Sequence, residues 1–367
     1  MTYNNFTELR NFVKLATEKY KPISGHNYRC IELEHIDKGT GILLGSDNSV
    51  NKSSTKNYFQ AGDTLFGKLR PNLKKFFFPD FSGVCSTEIW VLKADIEKCN
   101  KVFLYYLVQS PKFVFTACKT TGSKMPRADW NYLSLEVFYL PTLLEQQKIA
   151  NILRVWDKDI EILTKLCDAK RKSYNVIARN IFDTQAKKEK WQAVKLSTIS
   201  SIKKGKQLNR LDMKGGIYPV WNGGIIPSGF TDQWNMEANT ITISEGGSCG
   251  FVNLCKEKFW LGGHCYSVTN LAANLNKCFL FFQLKQNEPR IMRLKTGSGL
   301  PNIQKPSIEN YVVYIPSLEQ QTKIANYLNS LCDEIEIYKK ELQLIKKQKQ
   351  GLVQKLITGK WHLKIDE

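Results

Sequence analysis

Several residue groups in this chain come close to known chemistry, and each fails at a specific position. Gly62, Gly67 and Lys68 nearly complete a phosphate-cradling loop, but Leu69 stands where the magnesium-binding hydroxyl belongs. Thr64, Leu65 and Phe66 lie inside the supposed loop, so the stretch reads as a strand followed by a basic turn. Cys249, Cys255, His264 and Cys265 offer soft ligands, yet no C-x-x-C pair occurs, and buried free thiols are the plainer reading. Asp80 with Glu88 suggests a nuclease carboxylate pair, but Trp90 occupies the place of the lysine that would complete it. Neither a serine-nucleophile elbow nor a methyltransferase is expected; the latter needs a glycine-rich cofactor turn and an Asn/Asp-Pro-Pro-aromatic loop. No catalytic or metal-binding residue is therefore assigned, and the chain is expected to do no chemistry alone.

What remains is charge. Among 367 residues, 53 Lys+Arg against 34 Asp+Glu leave +19, which attracts polyanions and makes nucleic acid the leading partner class. The charge is clustered. Lys187 to Lys214 holds nine basic residues against Glu189 and Asp212, and Phe66 to Phe76 holds Lys68, Arg70, Lys74 and Lys75 with no acid. Apolar residues at 42% and charged residues at 24% are ordinary globular values and exclude wholesale disorder. The longest apolar run, Val102 to Val108, is far short of a bilayer crossing, which takes about 20 residues. With no signal-peptide pattern at the N-terminus, a cytoplasmic location is expected, the ten cysteines being thiols.

The elements that must position these residues are written twice. TGSKMPRADWNYLSLEVFYLPTLLEQQKIANIL, from Thr121, and TGSGLPNIQKPSIENYVVYIPSLEQQTKIANYL, from Thr296, align without a gap at an offset of 175. Between Thr121 and Lys165, 18 of 45 positions are identical, where unrelated sequences share roughly 3. Each copy runs into an apolar seam at heptad spacing. The first seam is Ile149, Leu153, Trp156, Ile160, Leu163, Cys167, Lys170, Tyr174, Ile177 and Ile181. Its copy is Ile324, Leu328, Leu331, Ile335, Tyr338, Leu342, Ile345, Lys349, Leu352 and Leu356. Pro141 and Pro316 open the helices with Thr142 and Ser317 as N-caps, and Gly359 closes the second.

Connectivity makes the helices antiparallel partners, a rod of roughly 60 Å with a pseudo-two-fold axis and the chain ends near the first half. The fold expected is α+β: two pseudo-two-fold-related α/β domains, residues 1–140 and 185–315, separated by a long antiparallel two-helix coiled coil, residues 141–184 and 316–358, with a tail at 359–367. Thr240 to Ser244, Tyr311 to Ile315 and Val137 to Leu140 read as strands, and Phe103 to Gln109 as a helix. Outside the shared 45 residues the halves diverge, FGKLRPNLKKFFF against YPVWNGGIIPSGF. Two unlike basic domains on one scaffold suit the reading of two different short sequences on one duplex.

The recurring pattern in PTLLEQQKIANIL and PSLEQQTKIANYL, each closing a variable domain and opening a long helix, together with GLVQKLITGKWHL, resembles the specificity subunits of Type I restriction-modification enzymes. The second copy sets Glu319 and Gln320 one position earlier against Lys323-Ile324-Ala325. The resemblance covers the whole chain and implies two target-recognition domains on double-stranded DNA. It implies as partners two adenine-methyltransferase (modification) subunits and ATP-dependent restriction/translocase subunits. S-adenosylmethionine, ATP and magnesium would belong to those partners, with no cofactor in this chain.

For DNA contact the residue types favour Lys68, Arg70, Asn72, Lys74, Lys124 and Arg127 in the first domain. In the second they favour Lys204, Lys206, Arg210, Asn222, Lys295 and Asn302. Ordinary surface charge is the alternative for any one of them. The exposed helix faces Gln146 to Arg154 and Gln321 to Leu328 are expected to meet protein partners through Gln146, Lys148, Asn151, Gln321, Lys323 and Asn326. A rival reading is a non-catalytic dumbbell adaptor that bridges proteins and binds RNA or other polyanions.

Overall fold

The computed structural model describes residues 5–22, 27–119, 125–213, 215–297, 299 and 301–363. They form two compact units, one of residues up to Thr164 and from Lys340 onward, the other Lys165–Lys339. Each unit holds one α/β domain and one end of each of two long helices, Leu143–Arg179 and Leu318–Ile357.

The first unit is organised by an antiparallel sheet in the order Val13–Leu15, Ile89–Ala94, Thr64–Gly67, Phe76–Phe77. Alternation along its central strands divides their side chains between two cores. Phe66, Trp90 and Leu92 pack with Phe103, Leu107 and Phe113 of the helices Lys101–Leu107 and Pro111–Ala117. Leu65, Ile89 and Val91 face the other way, onto Ile31, Phe59 and Cys85 of a second sheet. Layers on both faces leave Thr64–Gly67 buried along its whole length.

The second unit repeats this plan with unrelated residues. Its sheet runs Ser201–Lys204, Cys265–Thr269, Thr240–Ser244, Val252–Cys255, again antiparallel throughout. In both units the first strand pairs with the last: Phe6–Glu8 with Val137–Tyr139, and Gln192–Lys195 with Val312–Ile315. Both also carry a parallel pair bordered by an antiparallel strand. In the first unit Arg29–Ile31 lies between Gly83–Cys85 and Asp47–Asn48; in the second, Tyr218–Trp221 lies between Trp260–Leu261 and Gly229–Thr231. The duplication therefore reaches well beyond the 45 alignable residues.

The helix starts follow their caps. Thr142 Oγ1 accepts from the Glu145 N–H and Ser317 Oγ from the Gln320 N–H, each at 3.3 Å. Gly359, at φ 71°, supplies the left-handed turn after the second helix. All twenty seam positions are buried or half-buried. In the first unit Ile149 and Leu153 share a core with Val353 and Leu356, so the helices run in opposite directions there. In the second, Ala178 and Ile181 do the same with Ile324 and Leu328.

The two lysines that interrupt the seams are paired within their units. Lys170 lies 2.6 Å from Glu334, and Lys349 bonds Asp157, which also accepts from the Tyr106 hydroxyl at 2.6 Å. After Arg179 the first long helix widens into a π-turn, Asn180–Gln185, that buries Ile181 and Phe182 against Phe279. In the first unit Phe6 and His362 both pack on Tyr139, at 5.6 Å between ring centroids.

Candidate nucleic-acid interface

The strand Thr64–Gly67 delivers the chain into the basic turn the sequence marked out. Lys68 through Arg70 pair with residues 126–128: Ala128 N–H donates to Lys68 O at 2.9 Å and Arg70 N–H to Pro126 O at 2.8 Å. That pairing brings Lys68, Arg70, Asn72, Lys74 and Arg127 onto one loop cluster. Arg70 and Lys74 flank the short helical turn Pro71–Leu73 and both adopt left-handed backbone, φ 52° and 51°. Such conformations cost about 1 kcal/mol each for a residue with a Cβ. They hold two exposed cations outward, and among the described residues neither those side chains nor that of Asn72 has a hydrogen bond or ion pair. Arg127 differs, since its Nε reaches both Glu88 oxygens at 3.0 and 3.2 Å. Lys124 lies outside the described residues.

The second unit assembles its cluster from the same strand ends. Thr240–Ser244 leads into Glu245, whose carbonyl accepts from Ile303 N–H at 2.9 Å, the counterpart of the Lys68–Ala128 bond. Asn302 and Lys295 are drawn in by the bridge between Thr296 and Asn302. Lys204 is not a free cation: it lies 2.7 Å from the buried Glu245 carboxylate, which also accepts from the Tyr266 hydroxyl at 2.8 Å. Burial and then Glu245 raise the Tyr266 hydroxyl above its ordinary pKa, keeping it a donor. Lys206 is exposed, and its N–H donates to Leu261 O at 2.9 Å. The Asn222 side-chain oxygen accepts from His264 N–H at 3.1 Å, so it shapes the loop. Arg210 belongs to a short helical turn, and its side chain is outside the described set. Glu88 was considered only for a nuclease pair, and Glu245 and Tyr266 were not anticipated; an acid directly after the β-like run Thr240–Ser244 was the available signal.

The residues of the conjectured chemistries are occupied elsewhere. Cys249 Sγ bonds the Pro301 carbonyl, and Cys265 Sγ accepts from the Gly223 N–H at 3.0 Å. Burial pushes the Cys255 thiol up to about 12. Among the described residues no three His, Cys, Asp or Glu side chains could hold a metal ion. The sequence Gly246-Gly247-Ser248-Cys249-Gly250 does spell a G-x-S-x-G elbow, contrary to the expectation that none exists. It leads into the strand Val252–Cys255 rather than a helix, and among the described residues Ser248 has no side-chain bond to His264.

The expected partner face needs one correction. Gln146 and Gln321 are 0% and 1% exposed and cannot meet another protein. Gln146 accepts from Asn100 N–H at 2.7 Å and donates to the carbonyls of Lys98 and Pro141, each at 2.8 Å. Gln321 repeats this with Asn276, Asn274 and Pro316 at 2.8, 3.1 and 3.0 Å. A first-turn amide satisfies three backbone groups that the neighbouring loop would otherwise bury unpaired. Asn151, Lys323 and Asn326 are exposed and Lys148 half-buried.

The description "Type I restriction modification DNA specificity domain" belongs to a family model that matches residues 27–169 and again 188–347. The chain belongs to this Type I specificity family. A chain of Mycoplasma pneumoniae described as a type I specificity subunit is 30% identical over 171 residues, 46% of each, so the match spans about half that relative's length. The MjaVIII specificity subunit of Methanocaldococcus jannaschii is 24% identical over 322 residues, covering 77% of this chain and 75% of the relative. The fold is shared with the crystal structure of a Type I restriction-modification S subunit from M. genitalium, at TM-score 0.63 and 20% identity over 97% of this chain and 98% of the other. A chain from a study of type I complex assembly gives TM-score 0.65 at 18% identity, with 97% and 98% coverage. The two family matches fall one on each copy of the repeat. Among the described residues no helix is long and apolar enough to cross a membrane.

Proposed function

We propose that this specificity-family chain reads an asymmetric, bipartite DNA site for a Type I restriction-modification complex, one half-site per unit. The observation that carries the reading is one sheet plan used twice, with the loop after its third strand changed from Lys68–Lys75, rich in unpaired cations, to the glycine-rich Glu245–Gly250. A retained scaffold with unlike loops suits two different sequences. The long helices, 37 and 40 residues, are each about 55 to 60 Å, and their length sets the number of base pairs between half-sites.

Two methyltransferase subunits dock through the exposed helix positions Lys148, Asn151, Lys323 and Asn326, and restriction/translocase subunits join them. S-adenosylmethionine, ATP and magnesium act on those subunits, and this chain, in the cytoplasm, contributes recognition and no bond-making residue. Long-read sequencing of modified bases in the host tests the reading. Adenine methylation within a split, asymmetric sequence is expected, and a host whose only adenine motif is short and contiguous overturns it.

A further inference from the structure

In each unit the loop joining the parallel-paired strand to its antiparallel neighbour holds two large aliphatic side chains in solvent. In the first unit this loop connects Arg29–Ile31 to Asp47–Asn48 and exposes Ile42 (54%) and Leu44 (66%). In the second it connects Tyr218–Trp221 to Gly229–Thr231 and exposes Ile225 (61%) and Ile226 (70%). Single exposed aliphatics are common. A pair at the same topological place in two domains with unrelated loop sequences calls for a shared occupant.

Both tips are anchored beside the loops of the candidate interface. Gly39 N–H donates to Lys74 O at 3.0 Å, seating the first tip against the Arg70–Lys74 turn, while Asp37 N–H bonds Ile42 O at 3.0 Å to close it. In the second, Ser248 N–H bonds Gly223 O and Gly262 N–H bonds Trp221 O, both at 2.8 Å, beside exposed His264 and close to Lys206. Gly223, at φ 92°, has a Cβ position 2.6 Å from Gly246 O, so only glycine allows this approach. Apolar atoms beside exposed cations, Arg70 and Lys74 in the first unit and Lys206 in the second, fit a surface that is anionic outside and apolar within. A duplex groove has that character: phosphates at the rim, and the thymine methyl as the apolar group of the major-groove edges.

We propose that Ile42 with Leu44, and Ile225 with Ile226, are specificity-determining contacts that pack on thymine methyl groups in the two half-sites. This rests on the DNA-reading function above. The test uses the full chain and duplexes selected by it from a random-sequence pool, with binding followed by fluorescence anisotropy. Failure of the wild type to enrich any sequence would overturn the DNA-reading function itself.

Given enrichment, I225S/I226S is expected to weaken binding about tenfold with an unchanged salt slope, because phosphate contacts remain. Replacing thymine by uracil in that half-site should weaken the wild type similarly and leave the variant unmoved, and I42S/L44S should do the same for the other half-site. Selected half-sites without an A·T pair overturn the inference, as do variants that bind like the wild type. Variants that bind DNA normally but lose self-association would assign the tips to a second copy of the chain instead.

Discussion

Replacing Asp157 by alanine tests whether the charged pair in the first unit's seam holds that unit together. Lys349 is 13% and Asp157 37% exposed at the side chain. A fully buried pair broken on one side costs about 3 to 5 kcal/mol, and an exposed pair 0 to 1. This pair lies between, and the Tyr106 hydroxyl loses its acceptor as well, about 1 kcal/mol more. The expected loss is about 2.5 kcal/mol, or about 7 °C in Tm for a unit of this size.

The second unit shows how the same place is filled without charge. At the offset of 175, Asp157 and Lys349 correspond to Cys332 and Tyr174, two side chains without a salt bridge, and burial and then the neighbouring Cys332 raise the Tyr174 hydroxyl above its ordinary pKa. Aligning the capping residues Asn100 and Asn276 sets Tyr106 against Phe282. The triple variant Y106F/D157C/K349Y should therefore recover to within about 1 kcal/mol of wild type, since a pair removed together leaves no buried orphan. Calorimetry and urea unfolding of the full chain read both. A D157A loss below about 0.5 kcal/mol, or a triple variant worse than D157A, refutes the reasoning.

Q321A should destabilise the second unit by about 2 to 3 kcal/mol, because it strands the Asn276 N–H and two carbonyls; urea unfolding measures it, and Q146A is expected to match in the first unit. R70G/K74G should leave thermal stability unchanged or raised, since glycine accepts the left-handed backbone, while anisotropy shows weaker binding to every duplex and a shallower salt slope. Inserting one heptad into each long helix adds about 10 Å, and modified-base sequencing should show the gap grown by about three base pairs with both half-site sequences retained.

The sequence disclosed what is periodic and local. Thr142 and Ser317 announced the helix starts, the heptad steps announced the seam, and the strand-then-turn reading of Gly62 to Leu69 matches Thr64–Gly67 and the turn after it. The shared sheet was hidden because strands such as Val13–Leu15 and Ser201–Lys204 are short and their register is fixed only by distant partners. Gln146 and Gln321 misled for a related reason. A first-turn polar residue reads as solvated until the loops at Lys98–Asn100 and Asn274–Asn276 are seen to need its amide. The pairing of Glu245 with Lys204 and of Glu88 with Arg127 was missed because a cation's availability depends on which acid folds beside it, and that is a tertiary property.

The unlike polar pairs in the two seams also decide whom each helix can embrace. A first helix folding onto the same helix of a sister chain would set Asp157 against Tyr174 in place of Lys349, and would do so twice by symmetry. Two half-buried carboxylates, each without its lysine, make such a mismatched embrace unfavourable. These few polar side chains thus favour pairing of the first helix with the second over pairing of either helix with its own kind.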